Sequence, residues 1–89
     1  MISALLLSSG ILLPPKQYDH PPKMPVVVID DTPEEVERFC RKRAEYFGGR
    51  SIIGCAFPGK DICIIVMPNG YSRDLWRHER AHCNGFSHD

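Results

Sequence analysis

Three histidines and a glutamate near the end of the chain have the spacing of a metal site with its own base. They lie in the run HERAHCNGFSHD, residues 78–89. Residues four apart share one face of an α-helix, so His78 and His82 can direct imidazole nitrogens to one metal ion. Glu79 follows on the same side, and we predict that it acts as general base toward a water on that metal.

A glycine in the same run is predicted to end the helix. Gly85 can adopt the left-handed conformation that turns the chain sharply. Such a turn would bring His88 back as a third ligand. Three protein ligands leave one position for water, an arrangement typical of catalytic zinc. The predicted site is therefore Zn²⁺ bound by His78, His82 and His88.

The run resembles the extended zinc motif of the metzincins, a group within the zincin class of metallopeptidases. The matching residues are His78, Glu79, His82, Gly85, His88 and Asp89. Asp89 corresponds to the residue after the third histidine in adamalysin-like members. The methionine turn that follows the third histidine in metzincins has no counterpart in this sequence. The resemblance implies a minimal zincin-type zinc metallopeptidase, which hydrolyses peptide bonds in a peptide or protein substrate.

Two other functions use the same residues. One is a non-catalytic, zinc-stabilised component of an envelope or secretion assembly, in which metal binding contributes folding energy. The other is a zinc amidase that acts on peptidoglycan. Loss of Glu79 distinguishes an enzyme from a structural zinc site. An enzyme needs Glu79 for turnover, whereas a structural site tolerates its loss.

Length and charge restrict the kind of protein. The chain has 89 residues, which is enough for one small domain. Its 11 basic and 11 acidic residues cancel. This balance argues against nucleic acid as a partner, because such proteins concentrate positive charge.

Residues 1–25 are predicted to be an apolar N-terminal segment followed by a proline-rich linker. The stretch 2–13 carries no charge and is too short to span a bilayer comfortably. It has the size of a signal-peptide hydrophobic region, although no basic residue precedes it. The segment is therefore either a signal or anchor, giving membrane or envelope association, or a first β-strand. A signal predicts a secreted or periplasmic location.

Residues 26–89 are predicted to form an α+β domain in the order strand, helix, strand, strand, helix. Val26–Asp30 is a β-branched strand, and Thr32 caps the helix that follows it. The apolar stretches 51–57 and 61–67 indicate a hairpin. The last helix begins near Ser72 and carries the zinc residues. This order is similar to a reduced zincin upper subdomain, in which a small sheet backs the zinc helix.

The four cysteines permit two disulfides in three pairings, or four buried thiols. They are Cys40, Cys55, Cys63 and Cys83. If the hairpin turn is centred on Gly59, Cys55 faces Cys63 across the ladder. The favoured pairing is then Cys55 with Cys63 and Cys40 with Cys83. Disulfides would agree with an oxidising compartment.

Overall fold

The computed structural model describes residues 6–8, 13–43 and 52–87. The elements are β1 (Leu6–Ser8), a 3₁₀ turn (Lys16–Tyr18), β2 (Val26–Asp31), α1 (Pro33–Arg43), β3 (Gly54–Pro58), β4 (Cys63–Pro68) and α2 (Arg73–Cys83). The predicted α+β order is confirmed by β2, α1, β3, β4 and α2, and β1 adds a strand from the apolar N-terminal segment. Neither helix in these ranges has the length and apolar character to cross a bilayer.

The strands form one sheet in the order β1-β3-β4-β2, with β2 parallel to β4 and the other pairs antiparallel. Side chains alternate between the two faces of a strand, so both faces of the sheet have apolar side chains to bury. One helix packs on each face. The α1 face contains Val36, Cys40, Cys55, Phe57 and Val66. The α2 face contains Ala56, Cys63, Ile65, Met67, Leu75 and Cys83. β3 and β4 are thus buried on both faces, which explains their nearly continuous apolar sequences.

A hydroxyl side chain caps each helix. The cap at Thr32 was predicted, and for α2 the prediction was only that the helix begins near Ser72. Thr32 Oγ1 accepts the Glu35 N–H at 3.2 Å, and Ser72 Oγ accepts the Leu75 N–H at 3.0 Å. Each bond satisfies a backbone donor that the first helical turn leaves unpaired. The sequence predicts that the glycine pair Gly48-Gly49 ends the first helix, and this pair lies outside the described residues.

All four cysteines form disulfides, but the predicted pairing is wrong. Cys40 is bonded to Cys55, and Cys63 is bonded to Cys83. The hairpin register pairs Cys55 with Val66 and Cys63 with Pro58, because residues 59–62 connect the strands instead of a tight turn centred on Gly59. An odd shift in register moves a side chain to the other face of the sheet. Cys55 therefore points toward α1, and Cys63 toward α2.

Part of the predicted linker packs against α2. Asn84 Nδ2 donates to the backbone oxygens of Tyr18 and His20, at 2.9 and 2.6 Å. Arg77 and Arg80 both donate to the carboxylate of Asp19. The segment around the 3₁₀ turn consequently lies against the C-terminal half of α2, beside the residues with the predicted chemistry.

Candidate metal centre

The histidine pair lies on the buried side of α2. His78 and His82 are both fully buried. Their four-residue spacing places the rings edge to face, with centroids 4.9 Å apart and an interplanar angle of 84°, and their Nε2 atoms are 3.2 Å apart. The two nitrogens that the sequence predicts as zinc ligands therefore converge on one point.

This separation fits a shared metal ion. Two nitrogens bound to zinc at about 2.0–2.1 Å, with a tetrahedral angle between the bonds, lie about 3.3–3.4 Å apart. The observed 3.2 Å is close to that value. It is also a distance at which one imidazole N–H donates to the other. The His78–His82 pair thus fits either a metal ion or a shared proton.

The tautomer of His82 is set by its other nitrogen. His82 Nδ1 lies 2.7 Å from the backbone oxygen of Phe86. A carbonyl oxygen can only accept a hydrogen bond, so Nδ1 carries the proton. In a neutral imidazole this leaves a lone pair on Nε2, which faces His78. A histidine that binds metal through one nitrogen commonly has its other nitrogen held this way.

The turn at Gly85 places that carbonyl oxygen. Gly85 has a φ of +100°, as the sequence position predicts. Gly85 N–H donates to His82 O at 3.2 Å, and Phe86 N–H donates to Ala81 O at 3.1 Å. These two bonds define a Schellman motif at the end of α2. The motif also brings the Phe86 ring parallel to the His82 ring, with the centroids 5.1 Å apart.

The glutamate of the motif is buried beside a glycine in the sheet. Glu79 is fully buried on α2, whose main packing partner is β3. A Cβ atom added to Gly54 would lie 3.1 Å from Glu79 Oε2 and 3.1 Å from the backbone oxygen of Val66. Any side chain at position 54 would therefore crowd the carboxylate. Gly54 makes the space that Glu79 occupies.

The third predicted ligand, His88, lies outside the described residues, as does Asp89. Within the ranges that the structure covers, no three His, Cys, Asp or Glu side chains are grouped so that they could hold a metal ion. The sulfur of Cys83, which directly follows His82, is bonded to Cys63 and is not a ligand. The structure thus brings together His78 and His82, with Glu79 between them in sequence.

The other side of α2 is strongly polar. A cleft of about 500 Å³ is lined by Asp19, Arg73, Trp76, Arg77 and Arg80. Hydrogen bonds from Arg77, with a further contribution from Arg80, hold the pKa of Asp19 below its usual value, although burial partly opposes this. Asp19 in turn raises the pKa of Arg77. The ion pairs of Asp19 with Arg77 and Arg80 hold the N-terminal segment against α2. Neither His78 nor His82 lines this cleft.

Two residues of the site were not predicted from the sequence. Gly54 carried a usable signal, because a glycine inside a strand often marks close approach of another group. Phe86 fills an unspecified position of the motif. Its role depends on a backbone oxygen and a ring stack, so its residue type alone could not reveal it.

No known protein family, curated protein or solved structure matches this chain.

Proposed function

We propose that the protein is a zinc-dependent metallopeptidase, with His78, His82 and His88 as metal ligands and Glu79 as general base. The main support is the 3.2 Å separation of the Nε2 atoms of His78 and His82, with Nδ1 of His82 held by Phe86 O. The motif resemblance supplies the third ligand. The α+β fold, with this helix against a small sheet, agrees with a reduced zincin domain.

The proposed chemistry divides between metal and protein. A bound zinc ion would supply Lewis acidity, which polarises a carbonyl group and lowers the pKa of a water toward neutrality. Glu79 takes the proton from that water at a carboxylate oxygen and passes it to the leaving amine. Burial against Gly54 limits the positions open to the carboxylate. His82 keeps its coordinating lone pair because Nδ1 carries the proton.

One observation favours the non-catalytic alternative. The side chains of His78, Glu79 and His82 are all fully buried, whereas a hydrolytic site must admit its substrate. A zinc ion enclosed in this way would contribute folding energy without turnover. The two functions make different predictions for Glu79.

The disulfides support a proposal for the compartment. We propose a secreted or periplasmic protein, because two disulfides persist in an oxidising environment and are rare in a reducing one. The apolar stretch 2–13 is consistent with an export signal or an envelope anchor.

The decisive experiment compares zinc content and hydrolysis in the oxidised parent, Glu79→Gln and His82→Ala. Zinc is measured by mass spectrometry after dialysis. Cleavage is measured on a mixed peptide library and, separately, on peptidoglycan fragments. We expect about one zinc per chain in the parent and in Glu79→Gln, and strong loss of zinc in His82→Ala. Turnover should fall by about 10²–10⁴-fold in Glu79→Gln. Glu34→Gln, an exposed glutamate on α1, is the matched control.

The outcomes separate the candidates. A parent that takes up no zinc contradicts every zinc function. Full zinc occupancy without cleavage of either substrate set supports the structural alternative, particularly if zinc raises the unfolding temperature of Glu79→Gln and the parent equally. Cleavage of peptidoglycan fragments but not of peptides identifies the amidase.

A further inference from the structure

The outer edge of β2 is apolar and exposed. β2 is the last strand in the sheet order and pairs only with β4 among the described residues. Three consecutive aliphatic side chains are accessible, namely Val27 at 42%, Val28 at 38% and Ile29 at 42%. Since neighbouring residues point to opposite faces, both faces of the strand are exposed. An apolar strand of this kind readily pairs with another strand.

The backbone of β2 has hydrogen-bonding groups available at this edge. Pro25 O accepts the Cys63 N–H at 3.0 Å, and Asp31 O accepts the Asn69 N–H at 2.7 Å. Peptide groups alternate in direction along a strand, so the odd-numbered residues of β2 face β4. Val26, Val28 and Asp30 consequently direct their N–H and C=O groups toward the open edge.

We propose that this edge pairs antiparallel with β2 of a second copy of the chain, across a two-fold axis, to form one continuous sheet. The charges at the two ends of β2 favour a second copy of the chain as the partner, and they favour antiparallel pairing. Asp30 and Asp31 are exposed at the C-terminal end, and Lys23 is exposed just before the N-terminal end. Antiparallel pairing brings each lysine toward the acidic end of the other copy, whereas parallel pairing would bring the acidic ends together.

The central residues are self-complementary. In the two-fold arrangement, Val27, Val28 and Ile29 of one copy meet the same aliphatic residues of the other. Each favourable contact then occurs twice, as in an isologous interface. The outward groups of Val26, Val28 and Asp30 gain partners, and the exposed aliphatic surface is covered. The inference does not depend on the proposed zinc chemistry.

A proline substitution tests the pairing directly. Val28→Pro removes an N–H that points to the open edge and leaves the β2–β4 ladder intact, since proline is tolerated where no ladder bond is lost. Sedimentation velocity of the oxidised full chain at tens of micromolar should show a dimer for the parent and a monomer for Val28→Pro. Val28→Thr keeps the N–H and the side-chain shape, and should remain dimeric. A monomeric parent, or a dimeric Val28→Pro, overturns the proposal.

Charge exchange provides a second test that does not perturb the backbone. Lys23→Asp and Asp30→Lys should each weaken dimerisation roughly tenfold, since each change acts twice in the dimer and replaces an attraction between exposed charges by a repulsion. Asp30 is preferred over Asp31, whose Oδ1 accepts the Thr32 N–H. The double variant should restore the parent dissociation constant. If it remains as weak as the single variants, the antiparallel arrangement is wrong.

Discussion

The protonated Nδ1 of His82 lies 2.7 Å from the backbone oxygen of Phe86, and this contact fixes which nitrogen of His82 faces His78. The oxygen belongs to the residue directly after Gly85. The conformation of one glycine thus determines the chemistry available to a histidine three residues earlier. A substitution at Gly85 should therefore affect metal binding without changing any ligand.

We predict that Gly85→Ala lowers both stability and zinc affinity. Its φ of +100° is costly for a residue with a Cβ, by about 1–2 kcal/mol. The strained turn should displace the Phe86 oxygen, and loss of such a supporting hydrogen bond typically costs 10–100-fold in metal affinity. Competition with a chromogenic chelator measures the affinity, and urea unfolding measures the stability.

Gly70→Ala is the matched control for this prediction. Gly70 has a φ of +72°, and an added Cβ would meet no atom within 4 Å. Gly70→Ala should lose a similar amount of stability but keep the parent zinc affinity. Equal zinc affinities in Gly85→Ala and Gly70→Ala would show that the turn does not position His82.

A second prediction concerns the space beside Glu79. In Gly54→Ala the new Cβ would lie 3.1 Å from Glu79 Oε2 and from Val66 O, so the carboxylate must move. We expect hydrolysis to fall at least about tenfold, with zinc retained, because a general base needs hydrogen-bonding distance to its water. Stability should fall by about 1–3 kcal/mol through overpacking. Peptide cleavage, zinc content and urea unfolding measure the three quantities.

Ala56→Gly separates this effect from general destabilisation. Ala56 is buried two residues further along the same face of β3. Its replacement removes a methyl group and adds no atom near Glu79. We expect lower stability but nearly unchanged hydrolysis. If Gly54→Ala retains full activity, the position of the Glu79 carboxylate does not matter for turnover.

A third prediction concerns pH and the attachment of the N-terminal segment. Because Arg77 and Arg80 lower the folded-state pKa of Asp19, its contribution to stability is present above the unfolded value of about 3.9. That contribution is lost as the pH falls through the lower folded-state pKa. Asp19→Asn should therefore be less stable than the parent at pH 5–7, and the difference should shrink toward pH 3. Urea midpoints across this range test the prediction.

Asp61→Asn is the control for the loss of one carboxylate. Asp61 is exposed in the connection between β3 and β4. We expect its replacement to shift the urea midpoint far less at every pH. A constant difference between Asp19→Asn and the parent from pH 7 to pH 3 would contradict a stabilising ion pair.

Local patterns in the sequence predicted the elements well, because their causes are local. The cap at Thr32, the start of α2 near Ser72 and the turn at Gly85 each depend on residues within one helical turn. The disulfide pairing depends instead on the hairpin register. An odd shift in that register placed Cys55 and Cys63 on opposite faces of the sheet.

In the candidate site, too, the features with local causes were predicted and the contacts between distant residues were not. Helical periodicity predicted that His78 and His82 converge. It did not predict the space made by Gly54 or the Phe86 oxygen, because these contacts join residues whose types do not indicate them. The packing of Asp19 against Arg77 and Arg80 joins positions about sixty residues apart, and no local pattern in the proline-rich segment predicts it.

The order of the disulfides along the chain has a consequence for how the protein folds. Cys40–Cys55 closes a loop with a sequence separation of 15, and Cys63–Cys83 closes a later loop with a separation of 20. The two loops follow each other and do not interlock. Because a polypeptide is made from its N-terminus, Cys40 and Cys55 can meet before Cys83 has been added to the chain. The two disulfides can thus form one after the other, each within its own stretch of the sequence.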